Sequence, residues 1–277
     1  MNIVRSAGVP LIVLVLTALG CAEPGEDNRA QGDEPDLRPA VVKPGAGGTN
    51  GLDDVLYHAH LSQVVAAAAG PILQDGQISA GLLSTGLLGS TDGITVFGYA
   101  VKCALADGQT LTYGTHTFAG AGYLSTTTGW LSAPLSTGAR DDLLGCLVAH
   151  VNSTTGVPIL LSGPSVSDDG DGHDDFDVEE ALWLVQQDSS GAIVHHVWPL
   201  SDFEATCLSN PWDALEQRIC GQDPEGCNFV ARKDMEAACV EDEESNGYIC
   251  DGLPALKTTL KSADVLNLHP ICAPPRR

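Results

Sequence analysis

Nine cysteines punctuate a chain of 277 residues, and their positions limit how it can be held together. Six of them, Cys207, Cys220, Cys227, Cys239, Cys250 and Cys272, follow residue 206, with 12, 6, 11, 10 and 21 residues between neighbours. Cysteine-based zinc sites use pairs separated by roughly two to four residues, and thioredoxin-like redox sites use C-x-x-C. Neither spacing occurs. Disulfides are therefore expected, with a cysteine-rich C-terminal subdomain over 207–277. Of the other three, Cys21 lies in the N-terminal segment, and Cys103 and Cys146 are expected to pair with each other. The connectivity of the rest stays open, because eight cysteines allow on the order of a hundred pairings.

The N-terminus has the parts of an export signal. Arg5 precedes an apolar run from Val9 to Leu16 that continues to Leu19. That run is short for a membrane-spanning helix, and an acidic, Gly/Pro-rich stretch follows it instead of a basic flank. Leu16-Thr17-Ala18-Leu19-Gly20-Cys21 resembles a bacterial lipobox. The resemblance implies cleavage after the small residue Gly20, acylation of Cys21 and attachment to a lipid bilayer. Ala22 in place of Asp after the cysteine implies the outer membrane. The alternative is an ordinary secretory signal with a chance cysteine at its end. With Cys21 acylated, an even number of cysteines remains, as expected of an exported, disulfide-bonded chain. Residues 21–50 are rich in Pro, Gly and charge and lack apolar periodicity, so they read as a disordered tether. The expected order is a signal at 1–20, a tether at 21–50, a body at 51–206 and the cysteine-rich part at 207–277.

Hydropathy patterning predicts an α+β body with a small mixed sheet. A helix is expected over 52–69, with an apolar stripe of Leu52, Val55, Leu56, Leu61, Val64 and Val65, ended by Gly70-Pro71. Residues 77–89 read as short turns. A second helix over 93–105 would be capped by Thr91 or Asp92, with a strand as the alternative. Thr110–Tyr113 and His116–Phe118 alternate about Gly114 as a hairpin. Helices are expected at 139–151, 211–220 and around 232–239, and strands at 157–162 and 193–198. Residues 178–187 fit helix or strand, and 256–260 a short strand or a last helical turn.

Several of these pieces occur together elsewhere. Tyr99-Ala100-Val101-Lys102-Cys103-Ala104-Leu105, Cys146-Leu147-Val148-Ala149-His150-Val151-Asn152 and the stretch from Arg218-Ile219-Cys220 to Cys250 resemble a group of exported, often lipid-anchored proteins of myxobacteria-like bacteria. The resemblance covers roughly residues 90–272. Glu179-Glu180-Ala181-Leu182-Trp183 departs from the EGAF-type stretch of that group. What it implies is class and location, not an activity.

Charge and motifs narrow the function. With 13 Lys+Arg against 36 Asp+Glu, the formal charge is -23, which repels phosphate backbones and argues against a nucleic-acid partner. No G-x-S-x-G, H-E-x-x-H or phosphate-binding glycine loop occurs. Any hydrolase site would have to be assembled from distant residues, with His150 and His116 the first to inspect. Calcium is the best ligand candidate. Counting from Asp169, oxygen-bearing or polar groups fall at EF-hand-like places: Asp169, Asp171, His173, Asp175, Asp177 and Glu180. His173 replaces a carboxylate or amide, and Asp174 stands where a turn glycine belongs; an acidic surface linker is the alternative. Trp130, Trp183, Trp198 and Trp212 are expected as core anchors. His58 with His60, and His195 with His196, are spaced so that neither pair shares a face. The expected role is non-catalytic, structural or in recognition of an extracellular or periplasmic partner. A calcium-dependent binding module is the alternative.

Overall fold

Polar caps set the helices. Asp53 accepts the Leu56 N–H at 3.2 Å and opens α1 (Asp54–Ala68). The hydroxyls of Ser79, Ser90 and Ser136 do the same for α2 (Ala80–Ser84), α3 (Thr91–Ala104) and α4 (Thr137–Ala149). Each such cap contributes about 1 kcal/mol. Ser90, not Thr91 or Asp92, caps α3, because its hydroxyl meets Gly93 N–H at 3.0 Å. The computed structural model describes residues 46–49, 51–152, 156–168, 173–221 and 227–273. The signal, Cys21 and most of the tether therefore lie outside the described residues.

The strands are β1 (Ala46–Thr49), β2 (Leu73–Gln74), β3 (Gln77–Ile78), β4 (Thr110–Tyr113), β5 (His116–Ala119), β6 (Pro158–Ser162), β7 (Val178–Gln187), β8 (Ile193–Pro199), β9 (Phe229–Ala231), β10 (Cys239–Asp242), β11 (Gly247–Cys250) and β12 (Leu253–Leu260). Helices α5 (Ser201–Thr206), α6 (Pro211–Cys220), α7 (Met235–Ala238) and α8 (Val265–Leu268) complete the described α-helices, and four short 3-10 turns join them. The main sheet runs β1-β6-β12-β7-β8-β9, with β11 also on β12 and β10 on β11. Its pairings are antiparallel except β8 with β9. Two hairpins, β2–β3 and β4–β5, stand apart from it.

The fold is α+β, as expected. The face that α1 buries differs from the expected stripe: Tyr57, Leu61, Val64 and Ala68 point inward, while Val55 is 67 % exposed. Residues 178–187 are a strand with both faces covered. Ala181, Trp183 and Val185 join the core under the helices, and Leu182 and Leu184 join a second core with Trp198, Leu200, Cys250 and Ala255. Burial on both faces removes the alternation that marks a half-buried strand, which is why helix and strand could not be told apart. The expected helix near 232–239 is one short turn, α7. Gly145 lets α4 press on β12, since a Cβ there would meet Leu256 Cδ1 at 2.7 Å.

The C-terminal region holds three of the four disulfides: Cys207–Cys272, Cys220–Cys227 and Cys239–Cys250. β12 lies between β6 and β7 at the centre of the sheet, so the region shares the core of the body. Cys103–Cys146 joins α3 to α4, the pairing that their isolation implied.

All eight of these cysteines are therefore paired, and alkylation of the denatured, oxidised chain should tag none of them. The Cys103–Cys146 bridge spans 43 residues, for which loop-closure entropy gives about 4 kcal/mol; the seven-residue Cys220–Cys227 bridge gives about 2. Denaturant titration of C103A/C146A should show the larger loss, and equal losses in the two pair variants would refute this ranking.

Candidate functional site

The acidic segment does not gather its six expected ligands. Asp169 and Asp171 lie outside the described residues. His173 is buried, its ring edge-on to Phe176 at 5.7 Å. Asp175 is ion-paired with Lys261, whose hydrogen bond holds the carboxyl below its ordinary range. Asp177 accepts the Ser262 N–H at 2.7 Å. Glu180, the expected twelfth-place ligand, sits on β7 and turns into the core with no exposed surface. It is a correction to the EF-hand reading: sequence spacing counts for a loop, whereas on a strand alternate residues face opposite ways.

Glu180 instead anchors a buried network. Arg218 Nη1 donates to both its oxygens at 2.6 Å. Thr258 donates to Oε2 at 2.6 Å, and His269 Nε2 meets Oε1 at 2.5 Å. Arg218 also donates to the Ala149 and Val151 carbonyls at 2.5 and 3.1 Å. Burial would raise the Glu180 pKa, but the charge of Arg218 and the bonds from His269 and Thr258 outweigh it and hold the carboxyl at about 2. The network is closed on itself and offers nothing to a ligand.

A second cluster surrounds His150 at the end of α4. Sγ of Cys103, Sγ of Cys146 and a ring nitrogen of His150 lie within 4.8 Å of one another, all buried. That ligand set could hold a metal ion as two thiolates and an imidazole. As the disulfide, it has no thiolate to offer. His150 Nδ1 donates to the Cys146 carbonyl at 2.8 Å, which makes Nε2 the lone-pair nitrogen. Nε2 is buried without a hydrogen-bond partner. Tyr123 stacks on the ring at 5.4 Å and Tyr99 tilts against it at 5.6 Å. Gly48 of β1 closes over both: a Cβ there would lie 3.1 Å from Tyr123 Oη and 3.4 Å from Nε2. The i, i+4 spacing of Cys146 and His150 puts both on one face of α4 and is the sequence signal that could have joined them; the two tyrosines carry no such signal. His116 is exposed on β5, stacked on Phe118, and makes no contact with His150 among the described residues.

His195 and His196 face opposite ways, as expected of neighbours on a strand. His196 is half-buried beside Trp198. His195 is buried, with Nδ1 donating to the Cys227 carbonyl at 2.9 Å and Nε2 accepting from Tyr57 Oη at 2.9 Å. Burial pushes the Tyr57 phenol up. His58 Nε2 donates to the Ile219 carbonyl at 2.7 Å, 3.6 Å from Cys227 Sγ. Both imidazoles are structural ties between α1, β8 and the Cys220–Cys227 loop.

Trp130, Trp183 and Trp198 are fully buried core anchors. Trp212 is not. It borders a groove of about 500 Å³ with Pro199, Ser201, Glu204, Lys233 and Met235, and the Lys233 ammonium lies 5.0 Å over its ring. A single partly exposed tryptophan makes no sugar-stacking platform. Compared with known proteins, the chain matches no family model, no curated protein and no solved structure.

His150 and His195 give the folded chain a pH signature. Burial lowers both from 6.5 to about 4, against the pull of their backbone hydrogen bonds. The unfolded chain therefore takes up protons first. The stability they contribute is complete above pH 6.5 and lost as pH falls from 6.5 toward 4. Denaturant titrations across that window should show a falling unfolding free energy, with a shallower slope in His195→Leu. Burial raises Asp141 to about 6, which works in the opposite direction over the same window, so the comparison decides: equal slopes in His195→Leu and the unsubstituted chain would refute it.

Proposed function

We propose that the chain is an exported, lipid-tethered recognition domain that carries out no covalent chemistry of its own. The observation that carries this reading is the pairing of all eight cysteines after Cys21 into disulfides, which favours an oxidising compartment. Among the described residues no helix is long and apolar enough to cross a membrane. Attachment would rest on acyl chains at Cys21, each buried methylene adding about 0.8 kcal/mol. The lipobox-like segment and Ala22 favour the outer membrane, and the group it resembles is exported in the same way. Recognition is favoured over catalysis because His150 and His195 are shut away from solvent, each 1 % exposed.

Globomycin should block processing of the full chain in expressing cells, and C21S should do the same. Unchanged processing under both would overturn the anchor. Cross-linking on intact cells should then trap a partner that rebinds the purified oxidised chain; failure of every trapped protein to rebind would overturn recognition.

A metal-dependent reading stands second, favoured by the Cys103, Cys146 and His150 ligand cluster. Reduced, its sulfur and nitrogen donors suit zinc or copper(I) and not calcium, which takes oxygen ligands. Calcium would instead use the acidic segment, without Glu180. Calorimetry of the oxidised chain with calcium, and of the reduced chain with zinc, separates these. The recognition reading expects no saturable ion binding. One-site calcium binding abolished by D175N/D177N would establish the calcium-dependent module in its place.

A further inference from the structure

A cleft of about 540 Å³ separates the two small hairpins. Its walls are residues 76–78 on one side and 110–114 on the other. Runs of consecutive residues line a cleft where strands present an edge; a strand presenting a face would contribute every second residue. Ser79 N–H donates to the Ile72 carbonyl, so in the register Leu73↔Ile78 the bonded pairs are 72/79 and 74/77. Ile78 therefore turns its N–H and C=O away from β2. Gly120 N–H donates to the Gln109 carbonyl, so in the β4–β5 register the bonded pairs are 109/120, 111/118 and 113/116. Thr110 and Thr112 turn their backbone groups away from β5 by the same rule. No backbone hydrogen bond joins the two hairpins among the described residues.

Open edges are normally blocked by lysine, proline or an inward charge. Gln77-Ile78 and Thr110-Leu111-Thr112-Tyr113 carry none of these. In a chain with net charge -23, no Asp, Glu, Lys or Arg occurs from Gly76 to Thr91 or from Gly108 to Ala139. Leu83, 46 % exposed, borders the same cleft.

We infer that this cleft takes an extended, uncharged polypeptide segment of another protein, held as an added strand by the backbone groups of Ile78, Thr110 and Thr112. Affinity comes from main-chain hydrogen bonds, and selectivity from side chains that rest on Leu83 and Tyr113. A charged segment would leave its charges facing an uncharged wall. A second copy is a poor occupant. Each copy carries -23, so the approach of a second copy is opposed. The inference rests on the recognition reading and names the partner's chemistry.

The test is selection of a phage-displayed random-peptide library on the full oxidised chain, followed by fluorescence anisotropy of the enriched peptides. Uncharged, β-prone sequences should be enriched. Thr112→Pro removes one outward N–H and none of the bonds to β5, so it should weaken binding about tenfold or more. N-methylation of alternate peptide residues should do the same, and it decides the matter if the proline variant unfolds, because the protein is unchanged. Enriched peptides that are charged, that bind T112P equally, or that tolerate N-methylation at every position would overturn the inference. So would enrichment of no peptide, or a dimer of the chain lost in T112P. A cross-linked partner that rebinds T112P unchanged would sink this cleft and leave the recognition reading standing.

Discussion

One carboxylate fixes how the C-terminal region joins the rest of the molecule. Glu180 on β7 is met by Arg218 from α6, Thr258 from β12 and His269 from the turn after α8. Arg218 also reaches the carbonyl of Ala149, which the end of α4 leaves without a helical partner, and that of Val151 just beyond the helix. Taking a carboxylate out of water costs several kcal/mol, and removing one member of such a pair costs about 3–5 kcal/mol because the other charge is left buried. Each partner of Glu180 thus depends on the others being seated. Residues 207–277 supply three of them, so this region cannot undock without exposing or stranding Glu180.

The sheet explains why disulfides accompany that network. Trp183 turns toward the helices and donates its indole N–H to Thr258, while Leu182, Leu184 and Trp198 turn to the other side. That second core is small, and the β10–β11 hairpin helps to cover it. Cys239 and Cys250 are directly opposed on this hairpin and bridged. A small apolar cluster recovers little of the entropy of ordering the chain over it, and a cross-link lowers that entropy in the unfolded state. The ion pairs of Arg232 with Asp234 and Asp251 lie at the surface, where water screens them, and add little.

Local signals in the sequence were readable where local physics decided the structure. The β4–β5 hairpin closes around Gly114, and Cys103 finds Cys146 because no other cysteine is near either one in the chain. The caps of α3 and α4 show the limit of such reading: serine hydroxyls set both starts a residue or two ahead of the apolar pattern. Long-range relations were not legible. Nothing near Leu253–Leu260 marks it as the strand between β6 and β7. Glu180 looked like the end of a calcium loop because the acidic run before it set a misleading count. The partners that define it, Arg218, Thr258 and His269, lie 38 to 89 residues away. The same holds for Tyr99 and Tyr123 around His150.

Burial, more than basicity, argues against His150 and His195 as catalytic bases. At neutral pH both His150 and His195 are uncharged, the state a general base requires, but a base must reach the proton that it removes. His195 has both ring nitrogens engaged by Tyr57 and the Cys227 carbonyl, and β1 closes over the free nitrogen of His150. The surface has the opposite character. Negative charge over most of the chain opposes close contact with acidic neighbours, including other copies of the chain. The two hairpins interrupt that field with uncharged residues and unpaired backbone. Close approach is least opposed there, and the hydrogen bonds available are main-chain bonds that an extended partner can make whatever its side chains.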